Sequence, residues 1–420
     1  MKRIAVIGGG WAGLAAAVRA TEAGHRVTLI EMAPQLGGRA RSLAQPPQLD
    51  NGQHILIGAY RQSLALMRSV GVDPDRALLR LPLRLRYPGH EGLRLRPGPP
   101  MLAFARAVLG YRAWPLAARL DFLGQSLGWA LAGFRCAADL SVAQLCRRLP
   151  EPVRRELIAP LCVAALNTPA EQASAQVFLR VLRDALFDGP GSSDLLLPRR
   201  PLSELLAEPT GRWLQAHGAE ILFGRRIQQL QAEGAGWSVD GQHFDAVVLA
   251  CPAPEAARLV EPTAAHWARQ AAALRFEPII TVYLQSPGST LPAAMLALQD
   301  GPAAPAQFAF DLGQLGHAPG RFAFVISGAA AWVERGLEAA GAATLDQAMA
   351  VLRWHSPPTV LRVLAEKRAT FACTPGLLRP PAEIAPGLWA AGDYVDGPYP
   401  ATLEGAVRAG QAAAAAINQG

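Results

Sequence analysis

Lysine is nearly missing from this 420-residue chain: only Lys2 and Lys367 carry it, and arginine supplies almost all the basic charge behind a formal net of +7. A basic balance of that kind, with no Lys/Arg block and no basic run interleaved with aromatics, reflects base composition rather than a nucleic-acid surface. No nucleic-acid partner is expected. Charged residues are also scarce, at 17% against 51% hydrophobic, which excludes general disorder and leaves material for a large core. Cysteine is sparse. Cys136, Cys146, Cys162, Cys251 and Cys373 are scattered, odd in number and without a C-x-x-C pair. That excludes a disulfide framework or zinc site and points to a reducing, cytoplasmic setting. No H-E-x-x-H, Walker loop or metal-ligand cluster occurs. No uninterrupted apolar run reaches the roughly 18–20 residues that span a bilayer. Met1-Lys2-Arg3 and the apolar residues behind it imitate a secretory leader, but Gly8, Gly9, Gly10 and Gly13 break that stretch as a strand–turn–helix would.

What is present begins at that break. Arg3 to Ile7 (RIAVI) is a short apolar, β-branched run of the kind that forms a buried parallel strand. Gly8-Gly9-Gly10-Trp11-Ala12-Gly13 follows and satisfies G-x-G-x-x-G; Leu14 to Glu22 then reads as a helix ended by Gly24, and Arg26 to Ile30 as a second strand. Gly8 permits the tight turn, Gly10 lets backbone N–H groups approach a pyrophosphate, and Gly13 lets helix and strand pack closely. The helix N-terminus favours the phosphate charge. Glu31 closes the second strand, where a carboxylate can accept both ribose hydroxyls of an adenosine. The spacing predicts a dinucleotide site in a Rossmann-like α/β fold.

Three further features favour FAD over a nicotinamide nucleotide. Gly37-Gly38-Arg39 lies just beyond the second strand, with Arg39 in reach of a phosphate or the flavin edge. Leu388 to Ala391 reads as a strand entering Gly392-Asp393, whose acid can accept from the ribityl chain. Thr402-Leu403-Glu404-Gly405-Ala406 opens a closing helix to about Ile417, whose N-terminus would stabilise negative charge on a reduced flavin. GGGWAGLAAA, the Glu31/GGR spacing and GDYVDGPYPATLEGAVRAG resemble the superfamily of amine oxidases and carotenoid-type desaturases. Leu49 to Tyr60 (LDNGQHILIGAY), Pro160 to Pro169 (PLCVAALNTP) and Ser193 to Arg199 (SDLLLPR) are similar to one branch of it, the hydroxysqualene dehydroxylases or squalene-associated FAD-dependent desaturases.

The resemblance implies one FAD in a discontinuous domain (1–78, 206–258 and 372–420), with a mixed-sheet plus helical substrate domain from 79–205 and 259–371. It places the backbone near Ile227 against the adenine and runs Gln53 and His54 past the isoalloxazine. His54 has two readings: a group beside the flavin that protonates or orients a leaving hydroxyl, or a histidine satisfied by backbone. Asp50 reads as a turn acid, and Tyr60, Asn167 and Thr168 as structural polar points. The implied reaction is reductive removal of the allylic hydroxyl of hydroxysqualene; carotenoid-type desaturation and amine oxidation are the alternatives. With a single dinucleotide fingerprint, electrons come from an external donor. The expected partners are an isoprenoid substrate, upstream squalene-pathway enzymes and the inner face of the membrane.

Three further segments carry a local pattern. Arg226 to Leu230 reads as a strand. Leu81 to Pro97 alternates as a hairpin, with Leu83, Leu85, Leu93 and Leu95 on one face and Arg84, Arg86, Arg94 and Arg96 on the other. The arginine face is either solvated or bound to lipid headgroups. Met101 to Phe134 reads as apolar helix, either cavity wall or interfacial.

Overall fold

The computed structural model describes residues 1–89, 91–96 and 98–418; His90 and Pro97 of the expected hairpin, with Gln419 and Gly420, lie outside the described residues. The strand Arg3–Ile7 sits inside a six-stranded sheet, with Ala246–Leu249 on one side and Arg26–Ile30 on the other, both parallel to it. Glu220–Leu222 extends the sheet beyond Arg26–Ile30, and Leu388–Ala390 extends it beyond Ala246–Leu249. An antiparallel edge strand, Glu383–Ala385, completes it. Strands distant in sequence are therefore hydrogen-bonded neighbours.

Alternation sends Ile4 and Val6 into one apolar cluster and Ala5 and Ile7 into another, so the strand has no solvent face. The first cluster holds the helix Trp11–Glu22 and the closing helix Leu403–Ile417, which cross closely because Gly410 lacks a Cβ: one would lie 2.0 Å from the Ala12 carbonyl oxygen. Leu29, fully buried there, would cost about 2–5 kcal/mol if truncated to alanine. The second cluster joins the opposite sheet face to the 79–205 region. That region carries the helices Pro100–Gly110, Leu116–Leu131 and Ala175–Phe187.

A five-stranded sheet forms separately from the first. Its long strands Phe276–Gln285 and Thr359–Phe371 pair with each other, and Arg321–Ile326, Phe308–Asp311 and Met295–Ala297 continue outward. Where a mixed sheet was expected, every pairing is antiparallel. The expected strand Arg226 to Leu230 is also corrected, since strand begins only at Leu230. Side chains hold the backbone before it: Asp240 Oδ1 accepts from the N–H groups of Gln228 (3.0 Å) and Gln229 (2.8 Å). Arg258 donates to the carbonyls of Ile227 (2.5 Å) and Gln228 (3.2 Å). Those groups have no need of a neighbouring strand.

Candidate functional site

The glycine turn leads directly into the first helix, with Gly10 as N-cap in extended backbone. Two of its glycines are required by the protein itself. A Cβ on Gly13 would lie 1.8 Å from the Gly8 carbonyl oxygen, and one on Gly8 would lie 2.6 Å from that of Ala250. Gly10 differs. A Cβ there would meet only the Cα of Gly38, at 3.9 Å, and its φ of −74° suits any residue. Packing gives no reason for a glycine at that position, whereas a phosphate seated on the helix N-terminus does.

Glu31 is buried with its carboxylate tied to the turn: Oε2 accepts from Gly9 N–H at 2.6 Å and Oε1 from Ala33 N–H at 2.7 Å. Each oxygen retains acceptor capacity for a ribose hydroxyl. The chain two residues before Ile227 is tied to Glu31, whose carbonyl accepts from Arg225 N–H at 3.1 Å. Trp11 and Ala12 open the helix and are buried, and Trp11 Nε1 has no hydrogen-bond partner.

Arg39 joins the two ends of the chain. Its guanidinium meets Asp393 at 2.7 Å and donates to the Ala369 carbonyl at 2.6 Å. Burial works against its charge, but the Asp393 carboxylate outweighs that and raises its pKa above the ordinary value. Asp393 is thus engaged by an arginine through Oδ1, and its carboxylate keeps acceptor capacity for a ribityl hydroxyl. Gly38, just before it, packs its Cα against Gly10. Gly392 precedes the acid, and Tyr394 follows it with a buried, unpartnered hydroxyl.

The DNGQH loop lies between this pair and the antiparallel sheet. Asn51 donates to the Arg39 carbonyl (3.0 Å) and to Glu366 (3.2 Å). Gln53 donates to the Tyr283 hydroxyl at 3.3 Å, and that hydroxyl donates to the Asp50 carbonyl at 2.8 Å. His54 Nδ1 is enclosed and has no hydrogen-bond partner. Burial above all, with the Arg39 charge adding to it, pushes the imidazole down to about 4 against the opposing Gly52 backbone. A histidine so placed is neutral at pH 7. It can orient a leaving group through one N–H, but it does not carry a proton to donate outright.

Asp50 accepts from Ser42 Oγ (2.6 Å) and Leu202 N–H (3.0 Å), a turn acid whose pKa burial raises. Asn167, in left-handed backbone, and Thr168 are fully engaged with neighbouring chain.

Thr402 caps the closing helix by accepting from Gly405 N–H at 3.0 Å, with Leu403 as the first helical residue. Glu404 follows in the first turn of that helix. It is a buried carboxylate that accepts from Ser63 Oγ (2.8 Å), Ser63 N–H (2.9 Å), Gln62 N–H (3.1 Å) and Arg408 (2.8 Å). One acid therefore serves the N-termini of two helices. Tyr399 is a residue the sequence did not reveal: its hydroxyl donates to Asp184 at 2.9 Å and its ring lies beneath Arg180 and Arg408.

Asp184 lies on Ala175–Phe187, and that helix also walls a cavity. Leu182, Leu186 and Phe187 line it together with Phe104, Phe122, Trp129 and the hairpin leucines. Its polar groups are Ser126, already bonded to the Phe122 carbonyl, and the Trp129 indole N–H, which is buried without a partner. The void is about 30 Å³, below the roughly 300 Å³ of small-molecule sites, so a long ligand requires its walls to part. Among the described residues no group of acids, histidines and cysteines could hold a metal.

Residues 11–418 match the model of the flavin-containing amine oxidoreductases. The chain belongs to that family. As a flavin-containing amine oxidoreductase it is similar to the hydroxysqualene dehydroxylase of Rhodopseudomonas palustris, 30% identical with 98% of this chain and 97% of that protein covered. The Zymomonas mobilis protein of the same name is 28% identical, with 97% of each covered. An oxidoreductase of Methanosarcina mazei shares the fold at a TM-score of 0.75, with 17% identity and 98% and 99% coverage. Family membership makes the protein a flavin-dependent oxidoreductase.

Proposed function

We propose that this chain is an FAD-dependent dehydroxylase of a long isoprenoid alcohol, converting hydroxysqualene to squalene in hopanoid or related triterpene synthesis. The observation that carries the reading is the cavity, lined by apolar side chains and without a charged group, in one contiguous core with the flavin-side strand residues Ile7 and Ile30. An amine substrate would meet no carboxylate there. The near full-length relatives select hydroxysqualene among apolar substrates.

FAD fits because both ends of a dinucleotide find partners: Glu31 and the Gly10 helix terminus at the adenosine and phosphates, Arg39 with Asp393 and the Thr402–Leu403 terminus at the flavin. When bound and reduced, it supplies the hydride that replaces the hydroxyl. The chain's own residues position the alcohol and exclude water. Neutral His54 hydrogen-bonds the departing oxygen, and Gln53, held by Tyr283, keeps the loop in register. With one dinucleotide fingerprint, reduction of the cofactor falls to a separate donor.

The test is anaerobic. Photoreduced protein mixed with hydroxysqualene is expected to yield one squalene per flavin while the oxidised spectrum returns. Reduced protein that leaves hydroxysqualene untouched, with oxidised protein instead desaturating a phytoene-like polyene, would overturn the reading.

A further inference from the structure

The helix Leu116–Leu131 is apolar on two opposite sides. Ala118, Phe122 and Trp129 are buried, whereas Leu116, Leu120, Leu127 and Leu131 are exposed, the last at 81%. At about 100° per residue the four leucines fall in a stripe roughly 60° wide, across the helix from the buried three. The adjoining helix Pro100–Gly110 also buries Ala103, Phe104 and Val108 while Met101, Leu102 and Leu109 stay out. The two helices are joined through the Phe104–Phe122 edge contact at 5.6 Å and a bond from Arg119 to the Leu109 carbonyl. These seven side chains are nearly half of the 15 large hydrophobics exposed among the described residues. Isolated exposed leucines need no explanation; a concentration of this kind marks a contact surface.

Charge identifies the partner. Between residues 100 and 135, Arg106, Arg112, Arg119 and Arg135 stand against one carboxylate, Asp121. A second copy meeting this face about a two-fold axis would set arginine against arginine. An anionic bilayer satisfies both features, with leucines in the acyl boundary and arginines at the phosphates. The inner side of the same two helices supplies Phe104, Phe122 and Trp129 to the apolar cavity. We propose that this helical pair is the protein's membrane-docking surface, and that the cavity behind it opens toward lipid. The arginine-faced hairpin offers lipid less, since Leu85, Leu93 and Leu95 are turned inward and Arg84 and Arg86 share the Glu91 carboxylate.

Flotation of the full-length holoprotein with phosphatidylcholine vesicles, with and without phosphatidylglycerol, tests this without any substrate, so its failure is separable from that of the proposed reaction. The parent is expected to float with the anionic vesicles and less with the neutral ones. Replacing Leu116, Leu120, Leu127 and Leu131 together with glutamine, a good helix former, is expected to lower partitioning tenfold or more. Flavin absorbance and thermal unfolding should not change, since those side chains already face water. A variant lacking Arg84, Arg86, Arg94 and Arg96 is expected to float like the parent. The proposal is overturned if the parent stays with the unbound protein, or if the leucine variant floats undiminished. Loss of a dimer in that variant, with no vesicle binding by the parent, would assign the face to self-association and overturn it as well.

Discussion

Gly10 and Gly13 belong to one motif, yet substituting alanine at each should fail in opposite ways. At Gly13 a Cβ would lie 1.8 Å from the Gly8 carbonyl oxygen, both on backbone, so helix and turn must separate by roughly 1.5 Å. Overpacking costs about 1–3 kcal/mol where side chains can adjust, and here none can, so about 3 kcal/mol or more is expected for Gly13→Ala. At Gly10 the nearest atom is 3.9 Å away, leaving only the exchange of a glycine N-cap for alanine, at most about 1 kcal/mol. The same Cβ would stand where a phosphate approaches the helix terminus. A 10- to 100-fold loss of FAD affinity is expected, about 1.4–2.7 kcal/mol. The assay strips flavin from both variants, compares urea midpoints of the apoproteins, and titrates FAD back by fluorescence quenching. Gly10→Ala that binds FAD like the parent would refute the assignment of the helix terminus to the phosphates. Gly10→Ala apoprotein as unstable as Gly13→Ala would show that packing explains both glycines.

Acid sensitivity should follow His54. Its folded pKa of about 4 lies below the unfolded 6.5, so the neutral form contributes stability that is fully present above pH 6.5 and is lost as pH falls toward 4. The separation corresponds to at most about 3 kcal/mol, and His54→Gln should flatten that part of the stability–pH curve; an unchanged slope would show that His54 titrates normally. Glu404→Ala removes the acceptor of four donors, two of them on buried Ser63, and should cost about 3 kcal/mol, read as a lowered urea midpoint, with Glu404→Gln recovering part. Arg39→Met should cost about 1–3 kcal/mol in the apoprotein, because 41% of Arg39 is solvent-accessible but Asp393 is left buried without its counter-ion, and should weaken FAD measurably in the same titration. Equal losses in apoprotein and holoprotein would make Arg39 a structural residue alone.

What the sequence disclosed and what it withheld divide along the range of the interactions. The turn Gly8 to Gly13, the strands around it and the helix from Thr402 are specified by neighbours a few residues apart, and their bounds were legible to within about three residues. The hairpin leucines were legible for the same reason, since period-two alternation is local: Leu85, Leu93 and Leu95 are buried as that pattern requires. Arg226 to Leu230 has the composition of a strand but the hydrogen-bond partners of a loop, and those partners, Asp240 and Arg258, lie up to 31 residues away. The site itself is held by bonds of still longer range, Arg39 to Asp393 across 354 positions and Glu404 to Ser63 across 341. No spacing rule pairs such residues. A motif names the side chains that stand near a cofactor, but which of them remain free to touch it depends on partners brought in by the fold. Asp393 illustrates the consequence: an acid read as a ribityl acceptor is first of all the counter-ion of Arg39, so its chemistry toward a ligand is that of an ion pair.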